Sequence, residues 1–124
     1  MMREYLNEDV NKIIIDESLL TGMSWGGNQW QDFILVIDWS GQEDLKDEID
    51  FMNINSTLYF EFVTEFASNI KFKRDTMGAL EITTFNFRRI DRFWFIEFIF
   101  KFYGVGHLRF MCKDFKFIIE DKPV

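Results

Sequence analysis

Three residues stand out as candidates for chemistry, His107, Cys112 and Glu97, and all three fall in residues 92–117, RFWFIEFIFKFYGVGHLRFMCKDFKF. His107 and Cys112 are the sole histidine and the sole cysteine. A metal site needs several imidazole, thiolate or carboxylate groups converging on one point, and these two sit at opposite parities of one strand, so no metal is expected. A nucleophilic thiol needs a base and exposure, whereas Phe110 and Phe115 around Cys112 predict burial. His107 follows Gly106 at a turn and reads as a rim histidine. Glu97 interrupts an aromatic strand between Phe95 and Ile99, where poor solvation could raise its pKa and make it a proton donor. No second carboxylate has a matching spacing, and Arg88, Arg89 or Arg109 on neighbouring strands would neutralise it across a sheet. There is no Gly-rich phosphate loop and no Walker or dinucleotide pattern. The chain is therefore expected to be no enzyme, with no cofactor.

The remaining chemistry is electrostatic. The formal net charge is −7, with residues 1–62 at −10 and residues 63–124 at +3. So acidic a chain is repelled by phosphate backbones, which argues against nucleic acid and for a basic protein partner. Glu43, Asp44, Asp47, Glu48 and Asp50 concentrate the charge next to Asp38 and Trp39. Acids beside an aromatic at an exposed edge are what rapid capture of a basic surface requires, and these seven residues are the candidate partner-binding set. The plain alternative is a solvated helix face. Lys71, Lys73, Arg74, Arg88, Arg89 and Arg92, interleaved with Phe72, Phe85 and Phe87, have the composition of a single-strand nucleic-acid platform. Their bases take the outward parity and the rings the inward one, which reads instead as a charged outer face.

The elements that must position these residues are strands. Trp94, Ile96, Phe98, Phe100 and Phe102 share one parity, the chain breaks at Tyr103–Gly106, and Leu108, Phe110 and Cys112 share another, which is the pattern of a β-hairpin. A first strand is predicted near 18–25, a turn at 26–29 and a return strand over 30–39, apolar enough on both faces to be central. Residues 40–50 predict a short amphipathic helix, with Ser40 and Glu43 at capping-box spacing and Leu45, Ile49 and Met52 on one face. Strands near 57–63 and 68–74 follow, then a turn at 75–78. The next strand begins at Leu80 and changes parity across Thr83–Thr84, the mark of a β-bulge. A similar slip falls at Lys113–Asp114. Tyr5, Leu6 and Val10 admit a helix in the first dozen residues.

Residues 1–124 thus read as a single mainly β domain: an antiparallel meander of about seven strands, in a two-sheet sandwich or a strongly curled partial barrel, with one or two short helices. Phe60, Phe62, Trp94, Phe98, Phe100 and Phe110 are expected in its core. The longest apolar run is far short of the roughly 20 residues that cross a bilayer, and the N-terminus lacks a basic start and a long apolar block, so membrane insertion and export are not expected. A lone cysteine suits a reducing, cytoplasmic setting.

With the strands placed, DESLLTGMSWGGNQWQDFILVIDW, STLYFEFVTEFASNIKFK and HLRFMCKDFKFII resemble a group of small bacterial all-β proteins often found as immunity partners in polymorphic toxin systems. Asp16, Ser18, Ile37, Asp38, Trp39, Asp114 and Phe115 carry the likeness. Where many relatives place a histidine before the Asp-x-Ser element this chain has Ile15, so no role of that histidine transfers. The resemblance implies a non-enzymatic inhibitor whose basic partner is a toxin. The alternative is a carrier that encloses a small apolar ligand in an aromatic-lined β cavity. Either fits a monomer or a homodimer.

Overall fold

Alternating apolar side chains place most of this chain in strands. The computed structural model describes residues 2–39, 41–47, 49, 54–73 and 80–121. Its strands are β1 (Met2–Leu6), β2 (Leu19–Trp25), β3 (Phe33–Asp38), β4 (Ile54–Glu61), β5 (Thr64–Phe72), β6 (Leu80–Ile90), β7 (Phe93–Phe102), β8 (Gly104–Cys112) and β9 (Asp114–Asp121). Two 3-10 helices, η1 (Asn7–Lys12) and η2 (Glu43–Leu45), lie between them. The strands pair antiparallel in one sheet of order β1-β9-β4-β3-β2-β6-β7-β8-β5.

Nine strands replace the expected seven for two reasons. Residues 2–6 extend along β9, from Met2↔Glu120 to Leu6↔Lys116, where a helix was admissible. Lys113 turns the chain between β8 and β9, so residues 92–117 contain parts of three strands rather than a hairpin with a slip. The expected two-sheet sandwich is likewise replaced by one sheet, because Leu19↔Glu81 and Leu20↔Leu80 carry the ladder from β2 into β6.

That sheet is not flat. Strands β4 and β8 stand five places apart in the order, which on a flat sheet is about 24 Å. Yet the Phe60 and Phe110 ring centroids are 4.9 Å apart, and Trp94 on β7 lies 5.5 Å from Phe115 on β9. The sheet folds over around the β2–β6 link until its two halves share one core, and it does not close: β1 and β5 remain its edges. The inward faces supply Phe33, Leu35 and Ile37 from β3, Leu58 and Phe60 from β4, Ile96, Phe98 and Phe100 from β7, Leu108, Phe110 and Cys112 from β8, and Phe115, Phe117 and Ile119 from β9. Their rings meet mostly edge to face, as at Phe60–Phe98 and Phe60–Phe110, the arrangement that the ring quadrupole favours.

Several expectations are corrected at the margins. Phe62 is 39% exposed rather than in the core, because its left-handed backbone (φ 54°) at the β4–β5 turn swings the ring out. Phe102 ends β7 beside the Tyr103 turn and is also exposed. Strand β3 is central, between β4 and β2, but Val36 on its outer face is open to solvent. The bulge is real: the β6–β7 register shifts between Ile82 and Thr84. Between residues 40 and 50 the described residues form a single 3-10 turn, which Ile49 extends by donating its N–H to the Leu45 carbonyl at 3.0 Å. Ser40 and Met52 of the expected helix lie outside the described residues.

The N-terminal segment between β1 and β2 is tied down along its length. Asn7 donates its side-chain amide to Asp114 Oδ1 at 3.1 Å and accepts the Phe115 N–H at 2.9 Å. Val10, Ile13 and Ile15 are buried in the common core. Glu17 N–H then donates to the Ile82 carbonyl, and Ile82 N–H donates to that of Ser18.

Candidate functional site

Strand parity decides where the expected binding residues go. Continuing the inward series Phe33, Leu35, Ile37 places Trp39 inside at 4% exposure, while Asp38 faces solvent. Trp39 is therefore not the exposed-edge aromatic anticipated for partner contact. Its indole N–H donates to the Ile14 carbonyl at 2.9 Å, and its ring packs edge-on against Phe117 at 5.6 Å. It fastens the N-terminal segment to the core.

Glu43, Asp44 and Asp47 are exposed, as a charged surface requires. Glu48 and Asp50 lie outside the described residues. The segment is held in place by Gln42, whose side-chain oxygen accepts the Ile14 N–H at 2.8 Å and whose amide donates to the Lys12 carbonyl and to Asp44 Oδ1, both at 2.9 Å. One glutamine thus joins η2 to the end of η1, which itself bears the exposed acids Glu8 and Asp9. The cations Lys12 and Lys46 pair locally, with Asp9 at 3.5 Å and Glu43 at 2.5 Å.

The three chemically suggestive residues all lie on β7 and β8. Glu97 meets Arg109 directly across the β7–β8 ladder, Oε2 to Nε at 2.7 Å. Cys112 is fully buried, and burial, followed by the nearby charges of Asp114 and Glu61, pushes its thiol far above the ordinary range. His107 is half-buried opposite Asn69 and Ile99. Among the described residues no group of three or more His, Cys, Asp or Glu side chains could hold a metal, and no helix is long and apolar enough to cross a membrane.

The fold-over creates a feature that no local pattern announces. Four connections converge on a cleft of about 560 Å³: Asn28, Gln29 and Asp32 between β2 and β3, Glu61 and Phe62 at the β4–β5 turn, Arg92 and Phe93 at the β6–β7 turn, and Lys113 between β8 and β9. Asp32, 3% exposed, organises one wall. Its Oδ2 accepts the Tyr59 hydroxyl at 2.5 Å and the Gln29 N–H at 3.1 Å, and its Oδ1 accepts the Phe62 N–H at 3.1 Å. Burial alone would raise this carboxyl, but the Tyr59 hydroxyl and the backbone amides of Phe62, Gln29 and Asn28 more than offset that and hold it below its usual value. Tyr59 is pushed the other way, by burial first and by the Asp32 carboxylate second. Gly27 permits the contact, since a Cβ there would fall 2.0 Å from the Tyr59 hydroxyl. The bond to Asp32 also explains why Phe62 tolerates φ 54°, a conformation that costs a non-glycine residue roughly 1–2 kcal/mol: leaving it would orphan an N–H bonded to a carboxylate.

No family model, curated protein or solved structure matches this chain.

The residues that carry the resemblance are thus read by what they touch, and most of them fasten the N-terminal segment. Asp16 Oδ1 accepts the Phe85 N–H at 2.9 Å on β6, Trp39 holds Ile14, and Asp114 and Phe115 hold Asn7. Ser18 is buried. A second, more open cleft of about 540 Å³ lies between β2 and β5, with Trp25, Phe33 and Phe66 mutually in ring contact at one end and Ile70, Phe72 and Leu108 along it. Its rim aromatics Trp25 and Phe72 are exposed.

Proposed function

We propose that this protein is a non-enzymatic binding module that captures a basic protein partner on its acidic surface, in the manner of an immunity protein against a toxin. The observation that carries this reading is the anchoring of the acids. Gln42 ties η2 to the end of η1 through two hydrogen bonds, to Lys12 and Ile14, and holds Asp44 with a third. Trp39 fastens Ile14 to the core, so Glu43, Asp44 and Asp47 project from a fixed base near Asp38 at the end of β3 in sequence. A preorganised acidic surface speeds association with a basic one and loses less conformational entropy on contact than a floppy loop would. Glu48 and Asp50 belong to the same proposed surface by sequence. Action in the cytoplasm suits the single buried thiol, and a monomer or a homodimer would serve.

The test is the association rate with a basic candidate partner, measured against ionic strength for the wild type and for Asp44→Lys/Asp47→Lys. Attraction between unlike surfaces is screened over a Debye length of about 8 Å at physiological salt. The wild-type rate should therefore fall steeply with added salt, and the variant should associate more slowly at low salt while unfolding at the same temperature. Equal rates at low salt would reduce the segment to a solvated rim.

A second reading, a carrier of a small apolar ligand, draws on the aromatic cleft between β2 and β5. Against an enclosed site stands the packed interior, where Phe60 alone touches the rings of Phe98, Phe110 and Phe115. An apolar fluorophore quenched by Trp25 and displaced on Trp25→Ala would support the carrier; indifference to that change would remove it.

A further inference from the structure

The cleft among the four turns contains groups that the fold does not use. Arg92, Lys113 and Glu61 line it, and among the described residues no side chain or backbone group makes a hydrogen bond or ion pair with any of their side chains. Asp32, the other acid, is different, because both of its oxygens are occupied by Tyr59, Gln29 and Phe62. Phe62 and Phe93 border the same space and are each more than one-third exposed, although aromatic side chains usually bury their faces. The available chemistry is therefore two cations, one carboxylate and two phenyl faces around a concavity whose volume is within the range of small-molecule sites. The wall is preorganised, since the Asp32–Tyr59 contact fixes the backbone of Gln29 and Phe62 before any ligand arrives.

We propose that this cleft binds a small zwitterion with an aromatic body, of the chemical class of an aromatic amino acid or dipeptide. Its carboxylate would lie between Arg92 and Lys113, its ammonium group at Glu61 and its ring against Phe62 and Phe93. A simple anion leaves Glu61 repelled, and a simple cation leaves both bases unmatched; only a ligand with both charges uses every spare group. This site is independent of the acidic surface between η1 and η2 and shares no residue with it.

The experiment is a titration followed by backbone amide resonances, with L-phenylalanine and L-phenylalanyl-L-alanine as zwitterions, and N-acetyl-L-phenylalanine and L-phenylalaninamide as forms lacking one charge. The zwitterions should shift Gln29, Phe62, Phe93 and Lys113, the tighter of the two fixing the ligand's length. Each blocked form should bind about fivefold to tenfold more weakly, the size expected for loss of a partly exposed charge contact. Arg92→Ala/Lys113→Ala should erase the preference for a free carboxylate, and Glu61→Gln the preference for a free amine. Both alter exposed or half-exposed side chains, and unchanged resonances at Asp32 and Tyr59 would report an intact fold. Equal affinity for all four probes, shifts that map to Trp25 and Phe66 instead, or no shifts at millimolar ligand would each overturn the proposal.

Discussion

Tyr59 gives its phenolic hydrogen to Asp32 Oδ2 at 2.5 Å, and through that bond β4 holds the β2–β3 connection in place. A buried carboxylate satisfied in this way ties stability to pH. The folded-state pKa of Asp32 is depressed, so stability rises with pH wherever the unfolded chain binds the extra proton. Its contribution is fully present above the ordinary carboxyl value of 3.8 and is lost as pH falls through the lower folded value. Urea unfolding of the wild type should weaken over that acid range more than unfolding of Asp32→Asn, which has no charge to lose. Tyr59→Phe should cost about 1.5–3 kcal/mol at neutral pH, the worth of a hydrogen bond to a charged group. A Tyr59→Phe variant as stable as wild type would show that the bond is incidental.

Phe98 tests the shared core. It is fully buried on β7 and reaches β4 through Phe60 and β6 through Phe85, with centroids at 6.2 and 4.6 Å. Phe98→Ala should lower the unfolding free energy by roughly 3–5 kcal/mol, whereas Phe102→Ala, at the exposed end of the same strand, should change it by less than about 1 kcal/mol. Denaturant melts of the two variants side by side make the comparison.

Cys112 should be silent toward thiol reagents in the native protein. Its sulfur is buried and its ionisation suppressed by that burial, and only the thiolate attacks. Labelling with a chromogenic disulfide should proceed at the rate at which the protein opens, rising with urea. Prompt stoichiometric labelling in buffer alone would contradict the placement of β8.

Much of the architecture was legible because aromatic alternation is a local signal. The cores of β3, β4, β7 and β8 follow directly from the parity of Phe33, Phe60, Phe98 and Phe110, and the bulge near Thr83 from a parity change. Strand β1 was not legible: five residues pair only with β9, more than a hundred positions away, and nothing in Tyr5 or Leu6 distinguishes that from a helical turn. Trp39 enters the candidate binding set because its acidic neighbours suggest surface, although its parity puts it on one face with Phe33, Leu35 and Ile37, and that is the face the structure buries. The turn cleft was illegible for a different reason. Asp32 and Phe62 meet beyond the end of the β3–β4 ladder, and Arg92 and Lys113 flank the end of the β7–β8 one. The two pairs share a cleft only once the sheet has folded over, and no local pattern tells that Asp32 will hold the Phe62 N–H.

The position of β9 has a consequence for the order of events during synthesis. It sits between β1 and β4, so the ribosome releases both flanking strands long before the one that joins them. Until β9 emerges, β4 has one bare edge, β1 has no partner at all, and Phe115, Phe117 and Ile119 are missing from the interior. Such long-range closure slows folding and leaves sticky edges exposed meanwhile. The nascent chain should therefore depend on holding factors until β9 arrives, and a product stalled before residue 114 should be prone to aggregate through the open side of β4.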